Sequence, residues 1–159
     1  MDPIAVSASR SETTHFVLPG QANGRGTLFG GVVMQWIDEI AAIAGARHAR
    51  GPVVTVAVDA LHFIAPIPVG AMVVMKAAVN LASHTSMEVG VRVEVEDPRT
   101  GARVRTTKAY LTFVAVEDDG RPRPIASLLA ETDDDRRRMT AAAGRRAARL
   151  AARALGETR

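Results

Sequence analysis

The chain has 159 residues, 47% of them hydrophobic and 23% charged, with no cysteine and a formal net charge of +3. Its length suits one domain able to bury about 68–70% of the unfolded surface around a single core. The missing cysteines exclude a disulfide framework, a thiolate metal site and a cysteine nucleophile, and four histidines without a paired spacing such as HxxxH argue against a metal centre.

No run approaches the roughly 18 continuous apolar residues of a membrane span, and no basic segment followed by an apolar one opens the chain. A soluble, cytoplasmic protein is expected. The positive excess is local: residues 131–159 hold eight arginines against five acids, whereas residues 1–130 carry twelve of each sign. The body is neutral and the tail holds the surplus.

In chain order, residues 1–12 mix Ser, Ala, Asp and Pro without periodicity and are expected to form a flexible lead-in. Residues 15–18 suit a short strand ended by Pro19-Gly20, and the loop 21–26 follows, in which Asn23 can bond its own backbone. From Gly30 to Arg47 a helical wheel gathers Val33, Trp36, Ile37, Ile40, Ile43 and Ala44 on one face, with Gln35 and Glu39 opposite. Asp38 falls at the border, in a stripe with Gly31, Ala42 and Gly45, where side chains are too small to fill space. The glycine pair Gly30-Gly31 opens this helix, and the first amides of a helix have no partners within it, an arrangement that favours an oxygen carrying negative charge.

Four strands are expected after the helix, over residues 53–64, 71–82, 86–96 and 103–116. The third of these is the clearest: Met87, Val89, Val91, Val93 and Val95 alternate with Ser86, Glu88, Arg92, Glu94 and Glu96. Period-2 alternation over successive hairpins predicts an antiparallel sheet with one packed face, and the one long apolar helix is its natural partner. The class is therefore α+β, an antiparallel β-sheet wrapped around one central helix. Beyond it, three aspartates precede an Arg- and Ala-rich run, the charge order a helix dipole favours. A solvated or loosely docked C-terminal helix is preferred to a nucleic-acid-binding arm, because no aromatic residue interleaves the arginines. The domain plan is thus a segment 1–12, a domain 13–126 and a C-terminal helix or tail 127–159.

Three pieces in order narrow the reading. The run Asn23-Gly24-Arg25-Gly26-Thr27-Leu28-Phe29-Gly30-Gly31 with Met34, Trp36, Ile37 and Asp38 resembles the signature of the hotdog-fold acyl-CoA thioesterase family. So do Val53-Val54-Thr55-Val56-Ala57-Val58-Asp59, with Phe63, Pro66 and Gly70, and Thr85-Ser86-Met87-Glu88-Val89. The resemblance spans residues 13–125.

The resemblance implies a hotdog fold and hydrolysis of acyl-CoA to free acid and coenzyme A, with no cofactor beyond the coenzyme A of the substrate. It implies a homo-oligomer whose dimer is the active unit, assembled as a trimer of dimers, with sites shared between the helix of one subunit and the Gly-rich loop of the other. Asp38 matches the catalytic carboxylate, as base or nucleophile, and Gly30 and Gly31 match the helix start that cradles the thioester oxygen. Many members carry Asn or Asp where this chain has Thr27, which leaves Thr27 or Asn23 to orient water. For substrate binding, the candidates are Phe29, Met34, Trp36 and Phe63 around the acyl group, and Ser83, Thr85, Ser86, Arg92, Arg105 and Lys108 for the phosphates of coenzyme A. A hotdog dehydratase or hydratase ranks lower, since the helix start offers Phe29 and no histidine. A non-catalytic acyl-CoA-binding regulator with the basic tail as its output is the reading from another class. No membrane or nucleic-acid partner is expected.

Overall fold

The computed structural model describes residues 1–156, so the last three positions of the expected 127–159 segment lie outside the described residues. The helix α1 runs from Gly30 to Ala49. It ends where Arg50 turns left-handed (φ 56°) ahead of Gly51-Pro52, and Arg47 and His48 in its last turn suit the negative end of its dipole. Its buried face presents Val33, Trp36, Ile37, Ile40 and Ala44.

A two-residue strand β1 (Ile4–Ala5) comes first, then β2 (Ser11–Phe16), β3 (Val53–Val58), β4 (Met72–Ala82), β5 (Ser86–Glu96), β6 (Arg103–Ala115) and a second short strand β7 (Leu128–Leu129). The main sheet has five strands in the order β2-β4-β5-β6-β3, every neighbouring pair antiparallel, and it curls around α1. Its inner face meets the helix through Val73, Met75 and Val79 of β4, Met87, Val89, Val91 and Val93 of β5, and Ala109, Leu111 and Phe113 of β6. The alternation read from β5 therefore has the valines and Met87 on the helix side. At Gly45 the helix comes close enough that an added Cβ would lie 3.5 Å from the Met87 sulfur. This is the expected α+β architecture.

Three expectations differ in detail. The first strand starts earlier than residue 15, because Thr13 and His15 supply the inner side of its alternation in polar form; His15 stacks on Trp36 with ring centroids 4.2 Å apart. The strand expected over 53–64 leaves the ladder after Val58, past an irregularity between Thr55 and Ala57, and only the Asp59 and Ile64 amides still reach β6, at the Tyr110 and Thr106 carbonyls. The segment 1–12, read as flexible, is organised by β1, which pairs in parallel with β7, and by a 3-10 turn over Val6–Ser9. There Ser9 Oγ donates to the Val6 carbonyl (2.8 Å) and accepts from the Val79 amide (3.0 Å), so a hydroxyl does what periodic apolar residues do elsewhere.

The second long helix, α2 (Asp133–Gly156), is firmly placed on the outer face of the sheet rather than solvated or loosely docked. Its start is a reciprocal cap: Thr132 Oγ1 accepts from the Asp135 amide and Asp135 Oδ2 from the Thr132 amide, each at 3.1 Å. Further along, Arg145 and Arg149 close on Glu88 of β5 at 2.7 and 3.1 Å, and Arg149 also reaches Asp59 at 2.8 Å. Glu88 sits in the polar stripe of its strand yet is 2% exposed, because the helix lands on it.

Candidate active site

The loop before α1 is held by Asn23. Its Oδ1 accepts from the Arg25 amide (2.9 Å) and the Thr27 amide (3.3 Å), and its Nδ2 donates to Thr27 Oγ1 (2.9 Å). Gly26 takes a φ of 72°, which glycine adopts without strain. The loop is then tied down by the Leu28 amide on the Ile67 carbonyl (2.8 Å) and the Phe29 amide on the Gln21 carbonyl (2.9 Å). Asn23 and Thr27 are thus brought together, and both act within the loop.

At the helix start the Val32 amide bonds the Phe29 carbonyl at 3.0 Å, and no intrahelical carbonyl can reach the Gly30 and Gly31 amides. No side chain caps this end. An added Cβ would lie 3.7 Å from the Phe63 ring at Gly30 and 2.8 Å from the Phe29 ring at Gly31, so two exposed aromatic rings flank the bare amides. Met34 is exposed one turn on, whereas Trp36 lies in the core against His15.

Asp38 is half-buried on the flank of α1, and among the described residues its hydrogen-bond partner is Thr55, whose Oγ1 donates to Oδ1 at 2.8 Å. Thr55 stands opposite Phe113 in the ladder and therefore faces the helix. It belongs to the motif 53–59, within which the sequence alone does not single it out. The only signal was one hydroxyl in a run of valines, and its meaning depends on the sheet wrapping back to α1.

The remaining candidates fall into two other places. Ser83, Thr85 and Ser86 line a groove of about 500 Å³ between β3, the β4–β5 turn and the end of α2, beside Arg146 and Arg149. Arg92, Arg105 and Lys108 line a groove of about 610 Å³ on the outer face of the sheet, the side away from α1. Among the described residues no group of His, Asp and Glu side chains could hold a metal ion. Among the described residues no helix is long and apolar enough to cross a membrane.

Comparisons with known proteins decide what this arrangement belongs to. The model of the thioesterase superfamily matches residues 25–102. An uncharacterized acyl-CoA thioester hydrolase of Bacillus subtilis, YkhA, is 38% identical over 126 residues, which cover 79% of this chain and 73% of that one. The chain belongs to the thioesterase superfamily, among the acyl-CoA thioester hydrolases.

The solved thioesterases agree in fold. A hexameric acyl-CoA thioesterase, 37% identical, superposes with a TM-score of 0.93 over 98% of this chain and 99% of its own. The acyl-CoA hydrolase of Staphylococcus aureus, solved with butyryl coenzyme A, coenzyme A and coenzyme A disulfide, is 34% identical, with a TM-score of 0.90 over 98% of this chain and 94% of that one. The latter has also been solved with alanine in place of an Asp, an Asn and a Thr. The chain spans about a third of the length of the mammalian cytosolic acyl-CoA thioester hydrolases it matches. The hotdog fold and the acyl-CoA thioesterase family expected from the motifs are both found.

Proposed function

We propose that this protein hydrolyses acyl-CoA thioesters, with Asp38 as the carboxylate that activates the attack and Thr55 as the residue that aims it. The observation that carries this is the 2.8 Å hydrogen bond from Thr55 to Asp38 Oδ1, which holds one carboxylate oxygen and leaves the other for water or substrate. The alanine variants of the S. aureus enzyme support it. Their Asn, Asp and Thr lie 15 and 17 positions apart, the same spacings that separate Asn23, Asp38 and Thr55.

In the base form of the reaction, water adds to the thioester carbon as its proton passes to Asp38, and the carbonyl oxygen becomes negative opposite the Gly30 and Gly31 amides. The intermediate then expels the thiolate of coenzyme A, which takes up the proton and leaves as the free thiol. In the nucleophilic form, Asp38 adds to the carbon itself and expels the coenzyme A thiolate, leaving an acyl-Asp38 anhydride; water then cleaves the anhydride to the free acid and regenerates Asp38, its proton going to the thiolate. Phe29, Phe63 and Met34, exposed around the amides, give the acyl group an apolar wall.

The catalytic unit we propose is a dimer. β3 is an edge strand, and its Val54, Val56 and Val58 are 45, 54 and 48% exposed, a bare apolar edge that calls for a second strand. In such a pairing the Asn23 loop of one protomer would serve Asp38 of the other, with the second Nδ2–H of Asn23, the one not given to Thr27, orienting the attacking water. Assembly of such dimers into hexamers follows the hexameric relative. A cytoplasmic location goes with this reading.

The test is thiol release from short, long and aromatic acyl-CoAs by wild type and Asp38→Asn, measured side by side. Turnover of at least one ester, lost by orders of magnitude in a folded variant, is the expected result. Binding of the esters without thiol release would overturn it and favour the regulator.

A further inference from the structure

The outer face of the sheet, the side away from Asp38, carries a row of like charges. Lys76, Arg92 and Lys108 occupy directly paired positions on β4, β5 and β6. Glu12 of β2 ends the row, 3.3 Å from Lys76. Like charges directly opposite one another on adjacent strands destabilise a sheet. From above, α2 turns Arg137, Arg138 and Arg145 to the same groove of about 610 Å³, and Ala78 and Gly90 give it depth. Among the described residues its lining holds eight Lys or Arg side chains and two acids, Glu12 and Asp134.

Six of the eight cations pair with acids, Arg10 with Asp135, Lys76 with Glu12, Arg92 with Glu94, Arg137 and Arg138 with Asp134, and Arg145 with Glu88, so eight positive charges meet five negative ones and an excess remains. Among the described residues Arg105 and Lys108 form no salt bridge, and Arg138 Nε is buried without an acceptor. Five of the eight cations come from residues 1–130, which carry equal numbers of acids and bases, and three from the segment 131–159 that holds the surplus. A volume near 600 Å³ is that of a small-molecule pocket, typically about 300–1,000 Å³. With α2 standing over the cationic row, the opening suits a small polyanion better than a bilayer or a duplex.

We infer that this groove binds a small ligand carrying two or more linked phosphates, held between the sheet and α2. Arg forks take phosphate oxygens in pairs, and the Lys76–Arg92–Lys108 row spaces cations along a chain of such groups. Within one protomer the sheet separates this site from Asp38 on the helix side, so the ligand is distinct from a thioester held at that protomer's own Asp38. Binding ties α2 to the sheet and relieves the repulsion along the row. The inference does not depend on the catalytic role of Asp38.

Isothermal titration of the full-length protein with sodium tripolyphosphate, at fixed ionic strength, tests it. The expected result is saturable binding of one ligand per chain, at least about tenfold tighter than orthophosphate and unchanged by saturating coenzyme A. The Lys76→Gln/Arg137→Gln variant should bind tripolyphosphate at least about tenfold more weakly, with its ligand-free Tm equal to or above that of wild type. Should that variant fail to fold, Lys108→Gln alone carries the same expectation. No saturable binding, or equal affinity in wild type and variant, would overturn the inference. So would displacement by coenzyme A, which would assign the groove to the phosphates of the substrate.

Discussion

Thr55 of β3 donates its hydroxyl to Asp38 of α1 at 2.8 Å, joining the edge strand of the sheet to the flank of the central helix. A hydrogen bond to a charged group is worth about 1.5–3 kcal/mol, roughly 10- to 100-fold in rate if it is used in the transition state. Thr55→Val should therefore lower kcat by about that factor with little change in KM, and Thr55→Ser should restore most of it. An equal rise in KM at constant kcat would show that Thr55 helps only to bind.

Gly31 tests the helix start separately from the carboxylate. A Cβ there would come within 2.8 Å of the exposed Phe29 ring, which can swing away, so Gly31→Val should fold with a Tm close to wild type. The displaced ring and the branched side chain beside the bare amides should obstruct the thioester oxygen. A loss of about 10²-fold in kcat is expected, the size of a lost oxyanion donor. Unchanged kcat would remove these amides from the reaction.

What could be read along the chain was whatever is local. The valine alternation of β5 and the apolar face of α1 are periodic over consecutive residues, and both elements fold as their pattern requires except at Ile43, which the wheel puts on the buried face of α1 and the structure leaves 48% exposed. Glu88 shows the limit. Its place in a polar stripe marks it as solvated, and its burial depends on Arg145, 57 positions away on a helix whose docking no local pattern records. The pairing of Asp38 with Thr55 is hidden for the same reason, since it forms only when the sheet closes on the helix. At the amino terminus, Ser9 and the short β1–β7 pairing replace periodic burial with hydrogen bonds, which composition does not reveal.

The edge of β3 predicts assembly. Val56 is 54% exposed on a strand that, among the described residues, pairs with β6 alone. Val56→Asp places a charge at the proposed β3 pairing and should leave the fold intact while shifting the protein to monomer by light scattering. Thiol release should fall with it if the site is shared. A monomeric variant with full activity would show that one chain suffices.

Arg145 and Arg149 neutralise a carboxylate that water does not reach. The Glu88 side chain is 1% exposed and Arg145 is 25% exposed, so removing Arg145 leaves a buried charge with one of its two cationic partners and the long 3.4 Å hydrogen bond from Asn80. Arg145→Met should destabilise the protein by about 3 kcal/mol in urea unfolding, the low end for a broken buried pair. Glu88→Gln in the same background should recover part of that loss by removing the charge. Equal stability of wild type and Arg145→Met would mean that Arg149 and Asn80 suffice to hold Glu88.

His48 gives the fold a dependence on pH. It is 1% exposed, its Nε2–H donates to the Ala126 carbonyl at 3.0 Å, and its Nδ1 is buried without a partner. Burial holds its pKa below the ordinary 6.5, against the opposing pull of the Ala126 carbonyl and with help from the Arg50 charge. His15, packed on Trp36, is lowered as well, chiefly by burial. The unfolded chain therefore binds more protons than the folded one as pH falls through 6.5, and stability rises with pH over that range. The contribution is complete above the unfolded value and is lost as pH falls toward the lowered folded value. Tm measured from pH 8 to pH 5 should decline below about pH 6.5, and His48→Gln should flatten the decline while His15 keeps its own share. An unaltered slope in His48→Gln would mean that the ring is already protonated in the folded protein and that its Nδ1 finds an acceptor on charging.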